Sequence, residues 1–179
     1  NVISSGLFGD GAAAVVLEGA THSRSSSAAD VLHPAGRAPR VVATRSVFYP
    51  ETERIMGWDF VDGGFKIVLS AKVPSLVEAR VGGDVDAFLA SQGLGRGDVS
   101  HWIAHTGGPK VLQAFERSLA LPKEALAASW ASLEEVGNLS SASVLFVLGE
   151  HLARGREGEL GLLIAMGPGF CSELVLLRW

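Results

Sequence analysis

The sequence predicts an α/β fold, and three observations carry that expectation. Short apolar runs of strand length occur at 41–48, 102–105, 161–165 and 174–177. Stretches with helical spacing lie around and between them, at 74–93, 109–121 and 138–152. No shift in composition marks a linker between them, so strands and helices belong to one packed unit. With 179 residues, 47% of them hydrophobic, the chain can bury a sizeable core, as one large domain or as an integrated part of a bigger one.

Residues 9–18 (GDGAAAVVLE) join a glycine turn to small and β-branched residues, the composition of a central, buried strand. Residues 19–39, rich in Ser, Ala, Gly and His and without periodicity, read as a long surface loop. VVATRSVF at 41–48 is a strand. Residues 51–64 place Met56, Trp58 and Phe60 among glycines and acids, as expected of a cavity wall or a short hairpin. From Pro74, the pattern VPSLVEARVGGDVDAFLASQGL predicts two linked helices, with Asp84 and Gly93 as start and stop signals. After the strand at 102–105, Gly107 and Gly108 turn the chain into a helix that opens with Pro109 and places Val111, Leu112, Phe115 and Leu119 at helical spacing. NLSSASVLFVLGEHL (138–152) starts a further helix with Asn and Ser. Two terminal strands are separated by the Gly167-Pro168-Gly169 turn.

Charge and cysteine content narrow the function. A formal net charge of −4 with no Lys/Arg cluster argues against a nucleic-acid partner. The one cysteine, Cys171, excludes an internal disulfide framework and a cysteine-based zinc site, which suits a reducing compartment and makes the cytoplasm the expected location. No apolar run reaches the roughly 18 residues of a membrane span. The chain opens on Asn1 and soon enters mid-domain strand sequence, the expected look of a piece cut from a longer protein.

The chemistry centres on two polar residues. His105 stands at a strand end before Gly107 and Gly108. A lone histidine in such a place is more often a structural hydrogen-bonding group than a catalyst, but the glycines leave room for a ligand and the helix from Pro109 brings its positive end nearby. Asn138 follows Gly137 and reads either as an ordinary N-cap or as a second donor. Facing one cavity, the two would form a two-donor site for an oxyanion, as thioester and enolate chemistry requires. Gly9 to Gly11 resemble a dinucleotide fingerprint, but they precede a strand instead of linking strand to helix, so nicotinamide binding is rejected. Arg96-Gly97-Asp98 reads as a surface turn. His101 and His151 lack the companions a metal site needs, so none is expected. Cys171 reads as a buried thiol, with no helix N-terminus to lower its pKa.

Four separated motifs, LFGDGAAAVV with Phe8, IAHTGGPKVL with His105, GNLSSASVLFVL with Asn138 and MGPGF with Gly167, Pro168 and Gly169, together resemble the type III polyketide synthases of the chalcone and stilbene synthase family. VFYPETERIMGWDFVDGGFKIVLSAKVP is more similar to bacterial members than to plant ones. The resemblance implies a thiolase-like fold of αβαβα layers, of which this chain is the C-terminal half. Residues 1–48 would be the last strands of the N-terminal half with a surface loop, and residues 49–179 the C-terminal domain. It further implies a homodimer and a Cys-His-Asn triad whose nucleophilic cysteine lies upstream, in the N-terminal half. Acyl-CoA and malonyl-CoA would be the substrates, with no permanently bound cofactor. By resemblance His105 and Asn138 are catalytic and Phe8 is the gate between the coenzyme A tunnel and the acyl cavity. Met56, Gly57, Trp58 and Ser140 line the cavity, with core packing as the alternative, and Trp58 stands where plant chalcone synthases have glycine. Gly107, Gly108 and Lys110 flank the pantetheine path, with a solvated helix residue as the alternative for Lys110, and Gly167 to Gly169 form the cyclisation loop, in which Ala165 and Met166 depart from the family's Gly and Phe. The rival expectations are a β-ketoacyl-ACP synthase III, disfavoured by Thr106-Gly107-Gly108-Pro109 after the histidine, and a non-catalytic half that lacks the nucleophile.

Overall fold

The structure, a computed structural model, describes residues 6–19 and 38–179. Its strands are β1 (Arg40–Phe48), β2 (Met56–Val61), β3 (Gly64–Leu69), β4 (Val99–Ala104), β5 (Leu160–Gly167) and β6 (Cys171–Arg178). The α-helices are α1 (Val73–Ala90), α2 (Pro109–Leu119), α3 (Ala127–Val136) and α4 (Ser143–Leu152). One sheet has the order β1-β6-β5-β4, and β2 and β3 form a separate hairpin. β4 and β5 run parallel, whereas β6 is antiparallel to both of its neighbours. β1 pairs with β6 from Arg40 opposite Arg178 to Phe48 opposite Cys171, so the sheet begins at Arg40 and already includes residues 40–48.

Alternation along the strands sorts side chains onto two faces. Trp102, Ala104, Leu162, Ile164, Leu174 and Leu176 pack with Val77, Val81, Phe88, Leu112 and Phe115 of α1 and α2. Ile103, Leu163, Val175 and Leu177 pack with Ala128 of α3 and with Val144, Val147 and Leu148 of α4. The result is helix, sheet, helix. Covering on both sides explains why Trp102, Ile103 and Ala104 are all buried in succession, a pattern proper to parallel strands under two helical layers.

Two expectations change, and one element is added. The stretch from Pro74 is one 18-residue helix, not two. Gly82 does not break it, because this glycine is where α2 comes closest: a Cβ there would lie 2.4 Å from the Ser118 carbonyl oxygen, and the Gly82 N–H donates to Ser118 Oγ at 2.8 Å. The second correction concerns residues 9–18, which form no strand; Val15, Val16 and Leu17 are exposed. An apolar strand needs a ladder partner and a cover, and the described residues supply neither to this segment. Third, α3 is present although ASWASLEEV carries no clear one-sided apolar pattern; it is held by Ser129, whose Oγ donates to the Ala104 carbonyl at 2.8 Å. The surface loop expected at 19–39 falls mostly on residues 20–37, outside the described residues. Among the described residues no helix is long and apolar enough to cross a membrane.

Candidate active site

β4 and β5 end side by side, and the crevice beyond the carboxyl ends of parallel strands is where α/β sheets place ligands. His105 follows β4 directly. Its backbone N–H donates to the Ile164 carbonyl at 2.9 Å, and the Gly107 N–H folds back onto the His105 carbonyl at 2.9 Å. A side chain on Gly107 would sit 3.5 Å from His105 Cδ2, so glycine keeps the space beside the ring open. Gly108, at φ 129°, turns the chain into α2, with Pro109 in the first turn and Lys110 exposed beside it. Burial pushes the imidazole of His105 down to about 4. It is therefore neutral near pH 7 and offers one N–H donor and one lone pair instead of a cation.

The second arm is residues 137–140. Gly137 adopts φ 74°, and Asn138 behind it is 5% exposed. The Ser140 N–H donates to Asn138 Oδ1 at 2.8 Å, which leaves Nδ2 as the free donor of that amide. The same bond closes an Asx-type turn at the start of the helical segment 140–142, capped at Leu139, whose N–H is taken by Ser143 Oγ at 2.7 Å, so Asn138 uses its oxygen for the turn and keeps Nδ2 for a ligand. Ser140 is exposed at φ 57°. Thr106 Oγ1 reaches the Gly137 carbonyl at 3.5 Å and so joins this loop to the one carrying His105.

A third arm comes from the start of the chain. The Asn138 N–H donates to the Leu7 carbonyl at 2.9 Å, and the Gly9 N–H donates to the Asn138 carbonyl at 3.0 Å, the pairing of a parallel bridge between Phe8 and Asn138. The Leu7 side chain lies 3.5 Å from where a Cβ on Gly108 would be. Phe8, His105 and Asn138 are thus gathered at one end of the sheet.

The Gly167-Pro168-Gly169 turn joins β5 to β6 at this same end. Its Gly169 N–H donates to the Met56 carbonyl at 3.0 Å, bringing the β2–β3 hairpin alongside. Met56 is half-buried against the core and Gly57 is buried, with the Glu53 carbonyl 2.7 Å from where its Cβ would stand. Trp58, which is exposed, stacks edge-on against Phe65 at 6.3 Å between ring centroids. A neutral imidazole and an amide with a free Nδ2, on loops brought to the same end of the sheet, are donors of the kind that can hold an oxygen on which negative charge develops.

Other sequence candidates lie apart. His101 and His151 meet through their Nδ1 atoms at 3.2 Å, with His101 Nε2 2.8 Å from Glu159, and no group able to hold a metal occurs among the described residues. Cys171 is half-buried, and burial followed by the Glu173 charge pushes its thiol up. A groove of about 400 Å³ between α3 and α4, lined by Ala131, Phe146 and Glu150 among others, does not include His105 or Asn138. Sequence reasoning gave Leu7, Gly9 and Thr106 no part in holding the site. Backbone carbonyls and amides leave no composition signal, and only the spacing of Gly9 and Gly11 hints at a close approach.

Comparison with known proteins completes the picture. Residues 40–179 match the family of chalcone and stilbene synthases, C-terminal domain. The chain is 49% identical to a 1,3,6,8-tetrahydroxynaphthalene synthase of Streptomyces peucetius subsp. caesius, covering 100% of this chain and 46% of that protein. It is 41% identical to a putative chalcone synthase of Bacillus subtilis (strain 168), covering 100% of this chain and 48% of the other. The chain thus spans about half the length of these relatives. Its fold superposes on the crystal structure of the bacterial type III polyketide synthase 1,3,6,8-tetrahydroxynaphthalene synthase from Streptomyces coelicolor A3(2) with a TM-score of 0.74, at 32% identity over 80% of this chain and 42% of that one. The helix–sheet–helix layers are therefore those of a thiolase-like fold, in the part that corresponds to the C-terminal half.

Proposed function

Since the chain belongs to the chalcone and stilbene synthase family, we propose that it is the C-terminal part of a type III polyketide synthase. This enzyme condenses an acyl-CoA starter with malonyl-CoA by decarboxylative Claisen chemistry and then cyclises the product. The observation that carries the reading is the placement of a neutral His105 and an Asn138 amide with a free Nδ2 on adjacent loops, beyond β4 and before α4, with the long Thr106 to Gly137 contact at 3.5 Å and the Leu7 to Gly9 segment between them.

The chemistry runs as follows. A cysteine thiolate takes the starter acyl group from coenzyme A, releasing the coenzyme A thiol. Malonyl-CoA then loses CO₂: the bond between C2 and the carboxylate breaks, and its electron pair moves into an enolate whose oxygen is the former thioester carbonyl. His105 N–H and Asn138 Nδ2–H donate to that oxygen as charge builds there. The enolate carbon attacks the acyl thioester, forms the new C–C bond and expels the thiolate, leaving a chain two carbons longer on coenzyme A. Cys171, the single cysteine of the chain, does not suit the nucleophile's role, because a raised thiol pKa keeps it protonated. In this reading the attacking thiolate is the family's cysteine, which the resemblance places in the N-terminal half.

Phe8 serves as gate, Met56, Gly57, Trp58 and Ser140 line the cavity, and Lys110 with Gly107 and Gly108 flanks the coenzyme A approach. The Gly167 to Gly169 turn shapes cyclisation. The working enzyme is taken to be a cytoplasmic homodimer that needs no permanently bound cofactor. The test is direct: the complete protein containing this chain is given an acyl-CoA and malonyl-CoA, and CO₂ release and products are followed by mass spectrometry. A cyclised polyketide is expected. Condensation only with malonyl groups on carrier protein would transfer the assignment to a β-ketoacyl synthase III type, and no condensation with either donor would overturn it.

A further inference from the structure

We infer that Thr52 is a positioning residue that fastens the β5–β6 turn to the β2–β3 hairpin, so that the two form one wall of fixed shape, and that this wall sets how the growing chain is folded. The inference rests on the function proposed above. Thr52 lies between β1 and β2 and is buried, at 9% exposure. Its hydroxyl is used in both directions: Oγ1 accepts from the Phe170 N–H at 2.7 Å and donates to the Tyr49 carbonyl at 2.6 Å.

The Phe170 carbonyl in turn accepts from the Tyr49 N–H at 2.9 Å, and one residue earlier the Gly169 N–H donates to the Met56 carbonyl at 3.0 Å. The turn is thus bonded both to the segment that leads into the hairpin and to the hairpin's first residue. Of these contacts the one made by a side chain is Thr52's. The anchor behind it is firm, because the Phe170 ring is fully buried beside that of Tyr49, with centroids 5.8 Å apart, and the Tyr49 hydroxyl is fixed by Asp84 of α1 and by Ser172 of β6. On the other side, the Thr52 carbonyl accepts from the Ile55 N–H at 2.8 Å, and the Ile55 carbonyl accepts from the Ser70 N–H at 2.8 Å, closing the base of the hairpin. One hydroxyl therefore sits at the joint between the turn and the hairpin that carries Met56, Gly57 and Trp58. Removing it leaves the Phe170 amide and the Tyr49 carbonyl without that partner and frees the turn to move against the hairpin.

The experiment uses the complete protein as wild type, Thr52→Val, Thr52→Ala, Thr52→Ser and Leu119→Ala. Leu119, a core residue at the far end of α2, provides a control destabilised away from the turn. Losing one buried hydrogen bond corresponds to about a fivefold change in an equilibrium, so Thr52→Val should raise amide exchange at Phe170 by about that factor. It should also divert malonyl-CoA from the wild-type product into shorter or differently closed ones, with the malonyl-CoA KM and CO₂ release held near wild type. Thr52→Ser should restore both readouts, and Thr52→Ala should repeat the Val result and serve in its place if Val folds poorly. A purely structural role predicts the Leu119→Ala pattern instead, lower yield with an unchanged product ratio. That pattern in the Thr52 variants, or unchanged Phe170 exchange, overturns the inference. A wild-type protein that forms no polyketide overturns the functional reading and the product-setting role with it, while faster Phe170 exchange in Thr52→Val would still establish the tether.

Discussion

Two adjacent glycines in α1 should respond to alanine with opposite sign. At Gly82 a Cβ would stand 2.4 Å from the Ser118 carbonyl oxygen, 2.9 Å from Ser118 Oγ and 3.2 Å from an Arg96 guanidinium nitrogen. Reaching ordinary van der Waals contact requires α2 to retreat by about 1 Å. Such overpacking costs about 1–3 kcal/mol. The same retreat strains the Gly82 N–H bond to Ser118 Oγ and the Arg96 bonds to the Gly82 and Ser118 carbonyls, at about 0.5–1.5 kcal/mol for each bond lost. Alanine's better helix propensity returns about 1 kcal/mol. The net for Gly82→Ala is a loss of about 2–3 kcal/mol, or roughly 5–10 °C in Tm for a chain of this size. Gly83 is exposed, with nothing within 4 Å of its Cβ position. Gly83→Ala keeps only the propensity gain, about 1 kcal/mol, and should raise Tm by roughly 2–4 °C. Urea and thermal unfolding followed by circular dichroism measure both. A Gly82→Ala protein as stable as wild type would refute the close helix contact, and with it the reason given for one continuous helix.

The other predictions concern the site. Asn138→Ala should slow malonyl-CoA decarboxylation by about 10²- to 10³-fold, the usual effect of losing one oxyanion donor, as read by CO₂ release from the complete protein. Cys171→Ser should leave condensation intact, and residues 1–179 alone should form no polyketide, since the thiol here stays protonated; product from the isolated chain would contradict this. Gly9→Ala should reproduce much of the Asn138→Ala loss with little change in Tm, because its Cβ would come 2.4 Å from the Val136 carbonyl and push the segment off Asn138. His105 and His151 are both driven down to about 4, first of all by burial. Both are neutral in the fold while the unfolded chain takes up protons from about pH 6.5 downward, so stability is flat above that pH and falls as pH drops from about 6.5 toward 4, by up to about 3 kcal/mol for His105 and by less for the more solvent-screened His151. His105 or His151 imidazole NMR resonances that titrate above pH 6 in the folded protein would contradict it.

The sequence made legible whatever rests on side-chain pattern. The strands at β1, β4, β5 and β6 and the helix after Pro109 follow from apolar spacing, and His105 and Asn138 stand out because each is a polar residue beside glycine at an element boundary. Elements decided by a neighbour were not legible. Gly82-Gly83 looks like a break until Ser118 is placed against it, and the apolar run at 15–17 looks like a buried strand although the described residues hold no partner for it. The joint at Thr52 was hidden for the same reason: a threonine among PETER carries no signal until Phe170, 118 positions later, arrives at its hydroxyl.

The two candidate donors also owe their placement to different parts of the chain. His105 is set by the sheet: its amide continues the β4–β5 ladder to Ile164, and Gly107 and Pro109 direct the exit into α2, all within the region that matches the family's C-terminal domain. Asn138 is set by a loop whose backbone N–H and C=O are both paired with Leu7 and Gly9, residues that precede that region. At Asn138 itself the backbone is held by that pinning segment, while its neighbours are held by the Gly137 bond to Leu133 of α3, the Leu139 bond to Ser143 of α4 and the Thr106 to Gly137 contact. Phe8 sits on that same segment, between the two pinning residues. Any displacement of Phe8 large enough to break the Leu7 and Gly9 contacts therefore also releases Asn138, whereas His105 stays on the sheet. Gate position and donor position are thus tied closely at Asn138, and only through the longer Thr106 to Gly137 contact at His105.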